Sequence, residues 1–404
     1  MLTPRTILAR RVTAALDASP SRIPVLLGGC GSGRTTLLQQ LRERMGRTGA
    51  QYIDVERTAT TPERFLRAVT AVSVFPVTEA PPPGPGSARV AFDATIGLFG
   101  HAQTAASQPA TFLLDEFLEL RTFESFPGLR RVLSDFADGI AVSGNHFVLT
   151  SRYIARALRL LRDRSARFEV IHMPALTSED TLDILGLVGT EGRRADESDL
   201  PAPPGTKRPD THEAEYLART VLSLADGRPI YVRAIADELA AMREHGTPGS
   251  GDAVSALVAL FSPDARLARQ CGFCYELRLH RARGYGALKA ILEILGEDEG
   301  LTLTEISQRL QRTPGSTKDY LSWLEDVDLV IARQKRYAFA DPLLRLWVRL
   351  YCRPSAPTED DLAREVHQYA LPRLPPQVEP PATPKAEPAF AMVGGPPSGI
   401  IEID

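Results

Sequence analysis

Gly28-Gly29-Cys30-Gly31-Ser32-Gly33-Arg34-Thr35-Thr36 is a run whose residue types and spacing suit chemistry on phosphate. It lies between an apolar stretch at 23–27 and a helical pattern that opens at Leu37-Leu38. The spacing G-x-x-x-x-G-K-[ST] is met at every fixed position but one, because Arg34 stands where lysine is expected. Glycines let the main chain wrap closely, so that backbone N–H groups and a helix N-terminus face phosphate oxygens. In that frame the residues from Gly28 to Thr36 contact the nucleotide, Arg34 reaches the outer phosphates and the Thr35 hydroxyl is placed for Mg²⁺. The plainer alternative is a glycine-rich turn with no ligand. Arginine keeps the charge of lysine but replaces a compact ammonium with a planar fork. Nucleotide binding is therefore the firmer expectation, and efficient hydrolysis the weaker.

Phe112-Leu113-Leu114-Asp115-Glu116 reads as a buried strand ending in two acids. After a phosphate loop in the same domain this fits a Walker B segment, with Asp115 in the Mg²⁺ shell and Glu116 orienting or activating the attacking water. Phe147-Val148-Leu149-Thr150-Ser151-Arg152 is a third apolar strand with a polar exit. Strand C-termini of a parallel sheet open onto the ligand crevice, so Thr150, Ser151 or Arg152 is a candidate sensor of the terminal phosphate. A simple turn is the alternative there.

These segments need a scaffold. Strands are expected at 23–27, 51–55, 111–114, 147–150 and 168–172, alternating with helices, which is the pattern of a parallel α/β sheet covered on both faces. A proline-rich surface loop is expected at 75–87. Residues 1–175 thus form the nucleotide-binding core, 176–283 a helical lid with a flexible insertion at 189–210, and 284–353 a helix-plus-wing module. The C-terminal segment 354–404 is expected to be largely disordered beyond 372, where prolines abound and large apolar residues are few.

The 404 residues, 43% hydrophobic and 24% charged, suffice for two or three domains with a sizeable core. A net charge of −3 gives no global attraction to nucleic acid or anionic lipid. No stretch approaches a membrane span and no leader is apparent, so a cytoplasmic address is expected, with no membrane partner. Four cysteines are too few and too scattered for a disulfide scaffold. Cys271 and Cys274 have redox-motif spacing with His280 nearby, but a helical setting and too few ligands for zinc make them packed thiols. Cys30 is expected to be open to thiol reagents because of where it sits. Trp323 and Trp347 are read as core.

In the helix-plus-wing module one amphipathic helix falls at 288–295. Thr302-Leu303-Thr304-Glu305 is a capping box opening a second at 306–310, a third runs over 316–324, and 329–339 forms the wing. This winged helix-turn-helix order suggests duplex DNA as a partner. Charge argues against it, since residues 284–353 hold ten Lys/Arg and ten Asp/Glu. Arg309, Arg312, Arg333, Lys335 and Arg336 supply a basic patch only if helix and wing converge.

The order of phosphate loop, Leu-Leu-Asp-Glu, Leu-Thr-Ser-Arg, helical lid and winged helix resembles the AAA+/STAND group of P-loop ATPases. More narrowly it is similar to the ATPases called archaeal-type, which also occur in bacteria. Tyr337-Ala338-Phe339-Ala340-Asp341-Pro342-Leu343-Leu344-Arg345-Leu346-Trp347 carries that likeness, matching a tyrosine strand followed by Asp-Pro-Leu-Leu-Arg-Phe-Trp. The likeness covers about 1–353 and departs at Arg34, in the insertions and in the tail. It implies ATP and Mg²⁺ as cofactors, a five-stranded ASCE core and nucleotide-driven switching. It also makes Arg167 a candidate finger reaching a neighbour's phosphate, hence a homo-oligomer or protein partner, with a solvated helix end as the alternative. Gly227-Arg228-Pro229 resembles the element that packs near adenine, with Pro229 as a contact and Arg228 as a second sensor, or else a helix-breaking turn. In STAND proteins the winged helix often acts as a regulatory arm, which leaves that role and DNA binding both open. The reading is an Mg²⁺-dependent ATPase switch; a non-hydrolysing ATP sensor and a nucleotide-gated DNA-binding regulator are the alternatives.

Overall fold

In the computed structural model, residues 6–46, 48–76, 87–187, 211–246, 252–280 and 284–376 are described. The expected insertion at 189–210, residues 77–86 of the expected 75–87 loop and the tail beyond 376 lie outside the described residues.

Five short apolar segments build the first sheet: β1 (Ile23–Leu27), β2 (Ala50–Asp54), β3 (Thr111–Asp115), β4 (His146–Ser151) and β5 (Phe168–His172). All pairings are parallel and the order is β2-β3-β4-β1-β5. The sequence places every one of these strands. It stops β3 and β4 one residue short, because Asp115 and Ser151 are polar yet stay in register with Asp54 and Leu27. Those extra residues matter: they set the acid and the hydroxyl at the crevice edge.

Helices cover both faces. On one, Thr6–Leu16 and the helix Arg34–Met45 seal Leu26, Leu113, Val148 and Ile171. On the other, Phe112 stacks on Phe147 at 5.6 Å, and Phe99 meets Phe112 edge-on at 4.9 Å. Such fully buried rings supply much of the core's apolar burial.

The lid comprises Ser178–Ile184, Thr211–Leu224, Pro229–Glu244, Ala253–Leu260 and Arg266–Leu279. Its first helix opens with a capping box between Thr177 and Asp180. Next come the helix Tyr285–Glu297, β6 (Leu301–Thr302), the helices Leu303–Arg309 and Pro314–Asp326, then β7 (Val330–Arg333) and β8 (Arg336–Phe339). The three strands pair antiparallel in the order β6-β8-β7. Gln334 and Lys335 both take left-handed φ, 51° and 64°, as a two-residue hairpin turn demands. This is the winged helix, with the expected capping box at Thr302 and Glu305 formed.

The chain then returns to the lid. The helix Glu359–Ala370 packs so that Tyr369 donates its hydroxyl to the Leu224 carbonyl at 2.7 Å. Residues 354–376 are thus folded, and only the part of the segment beyond 376 lies outside the described residues. Trp347 packs between Tyr275 and Tyr351, as a core tryptophan should. Among the described residues no helix is long and apolar enough to cross a membrane.

Candidate nucleotide-binding site

β1 ends at Leu27 and the glycine-rich loop follows, leading into the helix Arg34–Met45. Gly31 and Gly33 take left-handed φ of 77° and 86°. A side chain at Gly31 would also run into Ile230, whose Cγ2 would lie 2.2 Å from its Cβ. The lid residues Pro229 and Ile230 therefore roof the loop. Between loop, sheet edge and lid lies a cleft of about 470 Å³ lined by residues 30–36, Tyr52, Asp115, Glu116, Arg152 and Pro229. That is the size of small-molecule sites in general.

Asp115 is the hub of the cleft floor. Its Oδ2 accepts hydrogen bonds from the Thr35 hydroxyl at 2.7 Å and the Tyr52 hydroxyl at 2.9 Å. Its Oδ1 accepts one from the Thr150 hydroxyl at 2.5 Å. The first helix turn, β2, β3 and β4 each deliver one of these groups. Burial and the neighbouring Asp115 charge push the Tyr52 phenol well above its ordinary range, so it stays a donor. Thr35 and Asp115 offer only oxygens, which is the donor type that Mg²⁺ takes, with few protein ligands and the rest from phosphate and water.

Arg34 departs from what a loop lysine would do. Its Nη2 donates to Glu116 Oε1 at 2.6 Å, while Nη1 donates to the Gly29 carbonyl at 2.7 Å and to the Ser32 hydroxyl. Both members of the pair are more than nine-tenths buried. The fork spans from the loop to the β3 acid, which a single ammonium could not do with the same bonds. Glu116 itself adopts a left-handed φ of 56°, and its N–H donates to the Thr150 hydroxyl. Its second oxygen accepts the Arg152 backbone N–H at 3.0 Å. The Arg152 guanidinium continues the chain of charges to Glu56 and Glu119. Burial opposes the charge of Arg152, but Glu116, Tyr153 and Glu56 together raise its pKa.

The sequence-predicted residues from Cys30 to Thr36 thus meet Asp115, Glu116, Arg152 and Pro229 around one cleft. Gly28 and Gly29 form the back of the loop, against Met173 and against Arg228 and Asp328. Arg167 lies elsewhere, binding the carbonyls of Ser21, Ala141 and Ser143 beside the N-terminal end of β5.

Arg228 makes a tie that composition alone does not announce. It donates to the Cys30 carbonyl at 3.2 Å, to the Ala340 carbonyl at 2.5 Å and to Asp341 Oδ2 at 2.9 Å. Tyr231 donates to the same carboxylate at 2.6 Å. Loop, lid and winged helix are joined through this one guanidinium. Nearby, Arg278 holds the Asp328 carbonyl at 2.8 Å, and Arg159 pairs with Asp326. Tyr52, Glu56, Glu119, Arg278, Asp328 and Asp341 are the participants that the sequence reading missed. The one available signal was Asp341, a capping acid just before a proline.

Burial raises the Asp328 carboxyl to about 6, against the pull of Arg278, Arg228 and Arg34. The native state then keeps a proton that the unfolded chain has released, so stability falls as pH rises from about 4 through 6, by up to about 3 kcal/mol. Asp328→Asn suits the left-handed backbone there and removes the titrating group. Unfolding midpoints of variant and wild type, followed from pH 4 to 7.5, should diverge in the variant's favour as pH rises. Parallel curves would show that Asp328 is not held this way.

The sheet order, the loop and the acid-ended β3 define a P-loop NTPase fold of the ASCE/AAA+ kind, with a helical lid and a winged helix. A family model described as winged helix-turn-helix DNA-binding matches residues 287–331. Among solved structures, a Walker-type ATPase of Pyrococcus abyssi superposes with a TM-score of 0.58 at 17% identity, covering 86% of this chain and 96% of that one. The Cdc6p protein of Pyrobaculum aerophilum gives a TM-score of 0.41 at 14% identity, covering 93% and 96% of the two chains. The Orc1 protein of Aeropyrum pernix, solved in complex with DNA, gives 0.44 at 16% identity, covering 91% and 93%. The first of these supports the fold. No curated protein matches the sequence.

Proposed function

We propose that this protein is an ATP-binding switch in which a Mg²⁺–nucleotide complex in the cleft governs how the lid and winged helix sit on the core. The observation that carries the reading is the convergence of Thr35, Tyr52 and Thr150 on Asp115 beneath the glycine loop. The loop from Gly28 to Thr36 holds the phosphates, Pro229 closes over it from the lid, and Thr35 with Asp115 holds Mg²⁺. The bound ion supplies charge neutralisation on the phosphate oxygens. Glu116 orients water, but only after its oxygens leave Arg34 and the Arg152 N–H. The arrangement described is therefore a resting one. Arg152, already joined to Glu116, reports on the terminal phosphate.

Phosphate release and ATP binding, measured on one preparation, test this. Wild type should bind ATP and turn it over slowly. Glu116→Gln should retain ATP while turnover drops by about two orders of magnitude, the range for a lost acid–base group. Arg34→Lys should release Glu116 and speed turnover. Unchanged turnover in Glu116→Gln would overturn the role given to that residue.

A DNA-binding role is the second reading, favoured by the family model over 287–331. Arg312, Lys318, Arg333, Lys335 and Arg336 are all exposed, on the helix Pro314–Asp326, the turn before it and the wing. Elsewhere the module is engaged with the core through Asp326 and with the lid through Asp328 and Asp341. Duplex binding through such a patch should weaken steeply with salt.

A further inference from the structure

The chain brings two of its four cysteines together across the boundary between loop and lid. Cys30 lies in the phosphate loop and Cys274 on the lid helix Arg266–Leu279, and their sulfurs are 3.6 Å apart. Both are partly exposed, whereas Cys271 is buried. Nothing in the sequence spacing suggests this pair, since the spacing points to Cys271 with Cys274. The hydrogen-bonding contact with Cys274 lowers the pKa of the Cys30 thiol, against burial and with help from Arg278 and Arg34. The lowered pKa favours the Cys30 thiolate, the nucleophilic form, while the same contact and burial raise Cys274. Burial raises Cys271 well above the ordinary range, and it also raises Cys352, so both are poor competitors.

We propose that Cys30 and Cys274 are a redox modification site, whose disulfide staples the phosphate loop to the lid helix and denies the cleft its nucleotide. The consequence for nucleotide rests on the reading above; the bond itself does not. A hydroperoxide is the co-reactant. The Cys30 thiolate attacks its O–O bond, an S–O bond forms, and the departing oxygen takes a proton and leaves as water or alcohol. The Cys274 sulfur then attacks the Cys30 sulfur, the S–S bond forms, the S–O bond breaks, and the hydroxyl leaves as water with the Cys274 proton. Two electrons pass from the thiols to the peroxide.

Closing from 3.6 Å to a bond length near 2.05 Å needs about 1.5 Å of movement. Glycines flank Cys30 on both sides, the residue type that gives the main chain most conformational room, and the loop's N–H groups are what would cradle phosphate. Cys274 also sits one helical turn before Arg278, which holds the Asp328 carbonyl of the winged helix. The staple would fasten the loop to both neighbours at once.

The full-length protein, treated with diamide to take two hydrogens from paired thiols, is mapped by peptide mass spectrometry and assayed for ATP binding. Wild type should yield the linked Cys30–Cys274 peptides and bind ATP at least tenfold more weakly, with dithiothreitol restoring it. Cys274→Ser, and Cys274→Ala if the serine variant folds poorly, should bind ATP like reduced wild type and keep that affinity after diamide. Absence of the linked peptides overturns the site. Linked peptides with unchanged ATP affinity overturn the staple, as does an equal loss in the Cys274 variants. If reduced wild type fails to bind ATP, the nucleotide reading fails, and peptide mapping still decides the disulfide.

Discussion

Glu116→Ala is expected to destabilise the protein by about 3–5 kcal/mol, the usual cost of leaving one member of a buried ion pair without its partner. Arg34 is only 7% exposed, and its remaining acceptors, the Gly29 carbonyl and the Ser32 hydroxyl, carry no charge. Water cannot reach the guanidinium well enough to replace the carboxylate. Glu116→Gln keeps a side-chain acceptor in place and should cost less, about 1.5–3 kcal/mol, as for a hydrogen bond to a charged group. Combining Arg34→Met with Glu116→Leu removes both charges, and most of the lost stability should return. Denaturant unfolding of the four proteins checks this. An alanine variant as stable as wild type would mean that the pair does not form in solution.

Asp341→Ala should have a comparable effect on the fold and a larger one on motion. One carboxylate oxygen accepts from Arg228 and Tyr231, and the other caps the helix Pro342–Tyr351 through the N–H groups of Leu343 and Leu344. Losing the cap alone costs about 1 kcal/mol. Arg228 keeps Asp226 and two carbonyl acceptors, but its hydrogen bond to Asp341 and that of the Tyr231 hydroxyl are lost, which brings the total to about 2–4 kcal/mol. The winged helix also loses its charged hold on the lid, so release of a fluorescent ATP analogue should quicken at least tenfold. Asp341→Asn keeps a capping oxygen and should lie between the two. Equal release rates in wild type and Asp341→Ala would show that this contact does not restrain the cleft.

Much of this was legible in the chain because local signals agreed with one another. Apolar runs of strand length, each closed by a polar residue or a glycine, marked all five strands of the first sheet, and the box at Thr302 and Glu305 marked a helix start. The glycine loop and the pair Asp115-Glu116 located the cleft before any contact was known. What stayed hidden depends on long-range packing. Nothing near Arg34 in sequence says that its fork will turn to Glu116 rather than to the phosphate space. Nor does the neighbourhood of Cys274 foretell a partner 244 positions away. Tyr52 reads as an ordinary strand residue until the parallel register sets β2 beside Asp115. The neutral charge of the winged helix also becomes intelligible in three dimensions, since Asp326, Asp328 and Asp341 face the arginines of the core and lid.

Arg228 grips a loop carbonyl on one side and the winged helix on the other. A two-sided grip of this kind obeys thermodynamic reciprocity. If nucleotide in the cleft loosens the winged helix by some factor, then anything that draws the winged helix away alters nucleotide affinity by that same factor. A macromolecule that captures the outer face of the wing would act as an exchange factor without approaching the phosphate loop. The nucleotide, in turn, would set how firmly that macromolecule is held.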